Sequence, residues 1–306
     1  MHSRFSLRLA VLVATLGVAP LTVQAQRYPL APRVDAGEYI HPFFEGWYEL
    51  EDGSKVFSYG YFNRNLNPDP EYIPRGEDNF LEPAEFDGMQ PDWFPIRRER
   101  GVFVVSVPPS WPADQEVIWT FRSEGQLYSV PGSWRTDAMQ LTTGTAAMGS
   151  DRPALRMDEG GEEGAGIIEP VWGEPRTARV NEPLVMKIWG RDVMAPDAAR
   201  EELVPVTASM FVHHGPDSSY PTIIADQPEP GEGEGGGGGG RSNRPPPPNA
   251  APIPLESDGT ATFRVTFPAP GNYLLRVMLD NHRAVDSSQG DQCCWTNGYV
   301  KVQVTE

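Results

Sequence analysis

Cysteine is nearly absent from this chain: there are two among 306 residues, Cys293 and Cys294, and they are neighbours. A framework of disulfides joining distant segments is therefore excluded, and so is a four-cysteine zinc site. Basic residues are scarce as well. Lys and Arg number 25 against 42 Asp and Glu, a formal charge of −17, and such a surface repels phosphate backbones and anionic lipids. That argues against nucleic-acid and membrane partners. No long stretch shows helical periodicity, and neither a His-Glu-x-x-His zinc motif nor a Gly-x-Ser-x-Gly nucleophile elbow occurs. What is abundant is glycine (31) and proline (32), in a chain that is 39% hydrophobic and 10% aromatic. That apolar content is enough for real cores and excludes global disorder. With so many turn formers it predicts an all-β protein.

Residues 1–25 read as a cleaved export signal. Arg4 and Arg8 give a basic start, residues 9–19 an apolar run too short to span a bilayer, and Val23, Gln24 and Ala25 a peptidase site. Cleavage after Ala25 removes two Arg and no acid, so Lys+Arg falls to 23 against 42 acids and the charge moves to −19. The expected product is an exported, periplasmic or extracellular protein with no membrane insertion after cleavage.

Residues 26–143 are expected to form a first β-sandwich. Strand-like runs at 47–50 and 55–63 flank Asp52–Gly53, a strong hairpin-turn pair. Residues 64–98 then form a long irregular loop rich in Pro, Asp, Glu and Asn. A loop of that length inside a compact domain is a functional flap or a packed Ω-type loop. Residues 101–107 are apolar on both faces, so they read as a central strand. In 116–122, Val117, Trp119 and Phe121 point inward, and 127–130 returns as a further strand. Residues 144–176, acidic and Gly-rich, read as a linker, with Ile167, Ile168 and Trp172 docking back on one domain.

Residues 177–306 read as a second sandwich. Val204, Val206, Ala208, Met210 and Val212 alternate along one strand. Residues 228–252, with a run of Gly and then of Pro, form a low-complexity insert, read as a flexible surface loop. After it, Ala261, Phe263, Val265 and Phe267 share one face. Tyr273, Leu275, Val277 and Leu279 follow, and Val300, Val302 and Val304 close the pattern. This Thr-x-Phe…Pro-Gly-x-Tyr…Val pattern over the last third of the chain resembles PKD-type and other Ig-like bacterial modules. The resemblance implies an Ig-like fold for this second sandwich, and with the strand and turn pattern of the first region the expected fold is two Ig-like or fibronectin-like β-sandwich domains with long irregular loops. The resemblance also implies that Tyr273 packs inward and bonds the loop before it.

Sites are less sharply marked. In an exported protein Cys293 and Cys294 are expected to close a strained vicinal disulfide, with a pair of thiols as the competing outcome. His41, His213, His214 and His282 have no metal-ligand spacing, and His213 and His214 should point to opposite faces of a strand. A late-Cys copper site fails because neither His nor Met follows Cys294 at the required spacing. Phe57, Tyr59 and Tyr61 alternate along one strand. Both faces of that strand carry apolar residues, so core packing is the leading reading, and with Trp93 and Trp295 the three are the candidate aromatic platform for a ligand. Asp69, Glu71, Glu77, Asp78 and Asn79 could hold Ca²⁺, the one cofactor considered, although no EF-type spacing exists. The leading functional expectation is a non-catalytic binding or structural module for a polysaccharide, a cell-surface polymer or a protein. The alternatives are an extracellular polymer hydrolase using carboxylates of the 64–98 loop, and a Ca²⁺-dependent adhesion module. Where the 64–98 loop sits separates them.

Overall fold

The computed structural model describes residues 37–67, 69–141, 152–193, 206–226, 252–281 and 295–306, all within one compact unit. The expected export signal at 1–25, most of the 228–252 insert, His282 and the Cys293–Cys294 pair lie outside the described residues. Those described are all-β, with nineteen strands, two short 3-10 turns and no α-helix.

The first half contains β1 (Ile40–Glu49), β2 (Lys55–Asn63), β3 (Glu71–Tyr72), β4 (Asn79–Glu82), β5 (Trp93–Phe94), β6 (Arg97–Val107), β7 (Val117–Ser123) and β8 (Gln126–Gly132). Two antiparallel sheets, β1-β2-β6 and β4-β7-β8, enclose an aromatic core. Asp52–Gly53 makes the β1–β2 turn: Gly53 sits at φ 84° and donates to Leu50 O, while Asp52 accepts from the Ser54 amide. Val117, Trp119 and Phe121 are fully buried, as their alternation predicts.

β6 differs from expectation. It lies at the edge of its sheet, not its centre, and β2 is the middle strand. Both faces of β6 are apolar because the second half of the protein covers the outer one.

That second half contains β9 (Ala154–Arg156), β10 (Gly164–Ala165), β11 (Val171–Trp172), β12 (Arg176–Arg179), β13 (Pro183–Arg191), β14 (Thr207–His214), β15 (Thr222–Ala225), β16 (Ile253–Pro254), β17 (Thr260–Thr266), β18 (Gly271–Asp280) and β19 (Trp295–Thr305). A five-stranded sheet, β10-β9-β13-β17-β15, faces a six-stranded one, β11-β19-β18-β14-β16 with β12 also pairing β19. The described residues of the alternating rows read from the sequence fill the core between them. Tyr273 is buried against Phe267, and its hydroxyl donates to Ala269 O at 3.0 Å, the corner contact that the resemblance implies. Within 144–176, the described residues from 154 onward supply β9 to β12, which pair into both sheets of this sandwich. Gly and acid there mark turns between short strands rather than a bare connection.

The halves meet through buried groups. Tyr48, Val56, Leu141, Ile167 and Trp295 form a small apolar cluster between the two cores. Around it Asn297 Nδ2 donates to Gly101 O and Tyr299 Oη to Val102 O, both at 2.7 Å. Arg276, 2% exposed, pairs with Glu99 at 2.9 Å and lies over the Phe211 ring. Gly101 is required at this approach. Its φ is 52°, and a Cβ would fall 2.7 Å from Ile167 Cδ1.

Candidate functional site

The 64–98 segment is a packed strap, not a loop in solvent. Asn79 anchors it: its amide donates to Ile73 O and Pro91 O, and its side-chain oxygen accepts from Trp119 Nε1. β3 and β5 form a ribbon, while β4 joins β7. Asp92, 2% exposed, accepts from Arg75 N and Nε through one oxygen and from Gly215 N through the other. This ties the strap to the second sandwich.

His213 and His214 complete the tie. A register shift in β14 between Val212 and His214 overturns the expectation of opposite faces, and the two rings lie 4.7 Å apart. Nε2 of His213 meets Met89 O at 2.8 Å and that of His214 meets Gln90 O at 3.0 Å. A carbonyl only accepts, so both Nε2 atoms carry the proton. Burial drives both pKa values down. His213, lowered further by His214, falls well below the usual range, and His214, lowered further by Arg75, falls to about 3. Both are neutral struts.

The strap forms one wall of a groove of about 640 Å³ on the outer face of the six-stranded sheet. One end of this face is covered by the first half, which meets Arg276, Asn297 and Tyr299; the groove lies towards the other end. Strand alternation puts Lys301 and Gln303 of β19 outward beside Leu274 and Asn272 of β18. Thr177 of β12 pairs with Gln303 on the other side, so Asn272, Gln303 and Thr177 form one polar row across three strands. Trp172 of β11 stands at one side, 48% exposed, its ring 5.4 Å from that of Tyr299 beneath it and 5.7 Å from Lys301 Nζ. The turn after Trp172 is fixed by Asp158, which accepts from the Glu174 amide and pairs with Arg176. Arg75 donates to Gly88 O across the strap wall. The lining includes three cationic side chains, Arg75, Arg176 and Lys301, and no carboxylate.

The residues singled out from the sequence sit elsewhere. Phe57, Tyr59 and Tyr61 are core rather than platform. Each is at most 1% exposed, Tyr59 stacks on Phe103 with its hydroxyl donating to Val117 O, and Tyr61 meets Phe94 edge-on. Trp93 is wedged between Tyr72 and Tyr220, and Trp295 belongs to the buried cluster between the halves. The five candidate Ca²⁺ ligands are not brought together. Asn79 is fully committed inside, Asp78 pairs with Arg122, and Glu71 accepts from Asn65. Burial, then Glu124, raises the Glu71 pKa to about 7. Among the described residues, no three of His, Cys, Asp and Glu are grouped to hold a metal ion. The groove residues were hidden in sequence because Trp172, Arg176 and Lys301 come from separate short segments. The signal that could have found Trp172 was a lone Trp in a segment without a core pattern.

No protein family and no curated protein matches the chain. Solved structures similar to it include domains 4 and 5 of the S-layer protein SbsC, 9% identical over 76% of this chain and 79% of that one, with a TM-score of 0.24. Others are a PapD-like domain of human CEP192, at 11% over 56% and 96% with a TM-score of 0.26, and the D0–D1 domain of intimin, at 8% over 87% and 97% with a TM-score of 0.25. No helix among the described residues is long and apolar enough to cross a membrane.

Proposed function

We propose that this is an exported, non-catalytic binding module that holds an extended polysaccharide in the groove beside Trp172. The carrying observation is the lining: a half-exposed indole, a row of amide and hydroxyl groups, and no carboxylate. An aromatic face flanked by a few convergent polar groups suits a ligand that has both C–H faces and hydroxyls. Polysaccharide hydrolysis ordinarily needs two carboxylates flanking the bond. Of the acids in the 64–98 strap, Glu77, Glu82 and Glu85 are exposed, and Asp87 is engaged with Leu81 N and Gln90. Export, the PKD-type likeness of the last third and the vicinal disulfide belong to the same reading.

The test is retention of the protein on immobilised polysaccharides, with an assay for new reducing ends in the same tubes. Retention of wild type, its loss in Trp172→Ala and no new reducing ends would support the proposal. Chain cleavage, or retention unchanged by Trp172→Ala, would overturn it.

A further inference from the structure

Resting on that polysaccharide reading, we infer that the groove selects an acidic glycan, one whose sugars carry a carboxylate, and that Lys301 is the selecting residue. The charge of the groove runs against that of its surroundings. The chain as a whole carries −17, yet the groove lining holds three cations and no acid. Two of these cations are already paired. Arg75 is held by the buried Asp92, and Arg176 by Asp158. Their guanidinium groups are thereby fixed in place as shaped donors with most of their charge met.

Lys301 is different. It is exposed, has no carboxylate partner among the described residues, and places its ammonium by the Trp172 ring. Lying over an aromatic face orients a cation without neutralising it. A sugar stacked on the free part of the indole would bring its ring substituents towards that ammonium. The row Asn272, Gln303 and Thr177 lies on along the sheet to take hydroxyls of the adjoining unit. A carboxylate on the stacked sugar gains a charge-assisted hydrogen bond there, and a neutral sugar does not. Elsewhere the acidic surface repels a polyanion, so binding of one has to come from a local site.

The experiment is affinity electrophoresis of the full protein through gels containing polygalacturonate or alginate, or the neutral polymers pullulan or dextran. Wild type, Lys301→Gln and Trp172→Ala run in parallel at low and high salt. The side chains replaced are open to solvent, and equal melting temperatures check the fold. Retardation is expected in the acidic gels and to weaken with salt. Lys301→Gln should reduce it about fivefold, the size of one lost ionic contact, and Trp172→Ala should abolish it. Equal retardation by neutral and acidic gels, or acidic binding unchanged in Lys301→Gln, overturns the acidic assignment and leaves the polysaccharide reading standing. No retardation by any polymer overturns both.

Discussion

Replacing His214 by Gln removes a titrating ring from the contact between the strap and the second sandwich while keeping its hydrogen bond. The ring donates from Nε2 to Gln90 O at 3.0 Å, and a Gln amide reaches the same carbonyl. Burial, and after it Arg75, holds the His214 pKa at about 3, against an ordinary value of 6.5. The folded ring therefore stays neutral where the unfolded chain takes up a proton. Its contribution is complete above pH 6.5 and is lost as pH falls from there towards 3. At pH 4.5, two units into that window, the loss is about 3 kcal/mol, at ~1.36 kcal/mol per unit. His213 is shifted the same way. Glu71 works in the opposite sense, because its raised pKa makes the fold lose stability as pH rises from about 4.5 towards 7. Glu71 is unaffected by the substitution and cancels in the comparison, and burial, the larger cause, still lowers His213 in the variant. Urea unfolding of the two proteins at pH 7 and pH 4.5 supplies the four stabilities. Wild type should lose about 3 kcal/mol more than His214→Gln between the two pH values. Equal losses would refute the claim that this ring is held neutral against the strap.

Glu99→Gln leaves Arg276 buried without its charge partner and should cost about 3–5 kcal/mol, read from urea unfolding, with part of the loss recovered in Glu99→Gln/Arg276→Met. Asn79→Ala strands two buried carbonyls and an indole N–H, each worth about 1–3 kcal/mol. It should release the strap and raise its proteolysis before global unfolding. Intact mass of the protein from an exporting host should start at Gln26 and lie two hydrogens below the fully reduced value. Retention of Met1 would contradict export, and alkylation of both cysteines without reduction would contradict the Cys293–Cys294 ring.

Period-two alternation made the cores legible in the sequence. Val117, Trp119 and Phe121, and the rows at 261–267, 273–279 and 300–304, are buried as their spacing predicts. Reading β6 as central failed for a physical reason. Two apolar faces show that a strand is covered twice, and do not say whether by its own sheet or by a second sandwich. Phe57, Tyr59 and Tyr61 carry the same ambiguity, since a row of rings on a strand fits a core as well as a platform, and the two apolar faces of their strand favoured the core in which they lie. The groove was not legible at all. Its members gain meaning through register: Thr177, Gln303 and Asn272 become one row only when β12, β19 and β18 lie side by side. A bulge placing both His213 and His214 against the strap is likewise a consequence of tertiary packing that no dipeptide announces.

The central claim, that the open end of the six-stranded sheet is the ligand site, is tested most directly by hydrogen–deuterium exchange with and without polygalacturonate. The account predicts slower exchange in peptides covering 171–177, 271–274 and 299–305 and in the strap at 88–90, with the first half unchanged. Protection confined to the first half, or binding with no protection around Trp172 and Lys301, would contradict it.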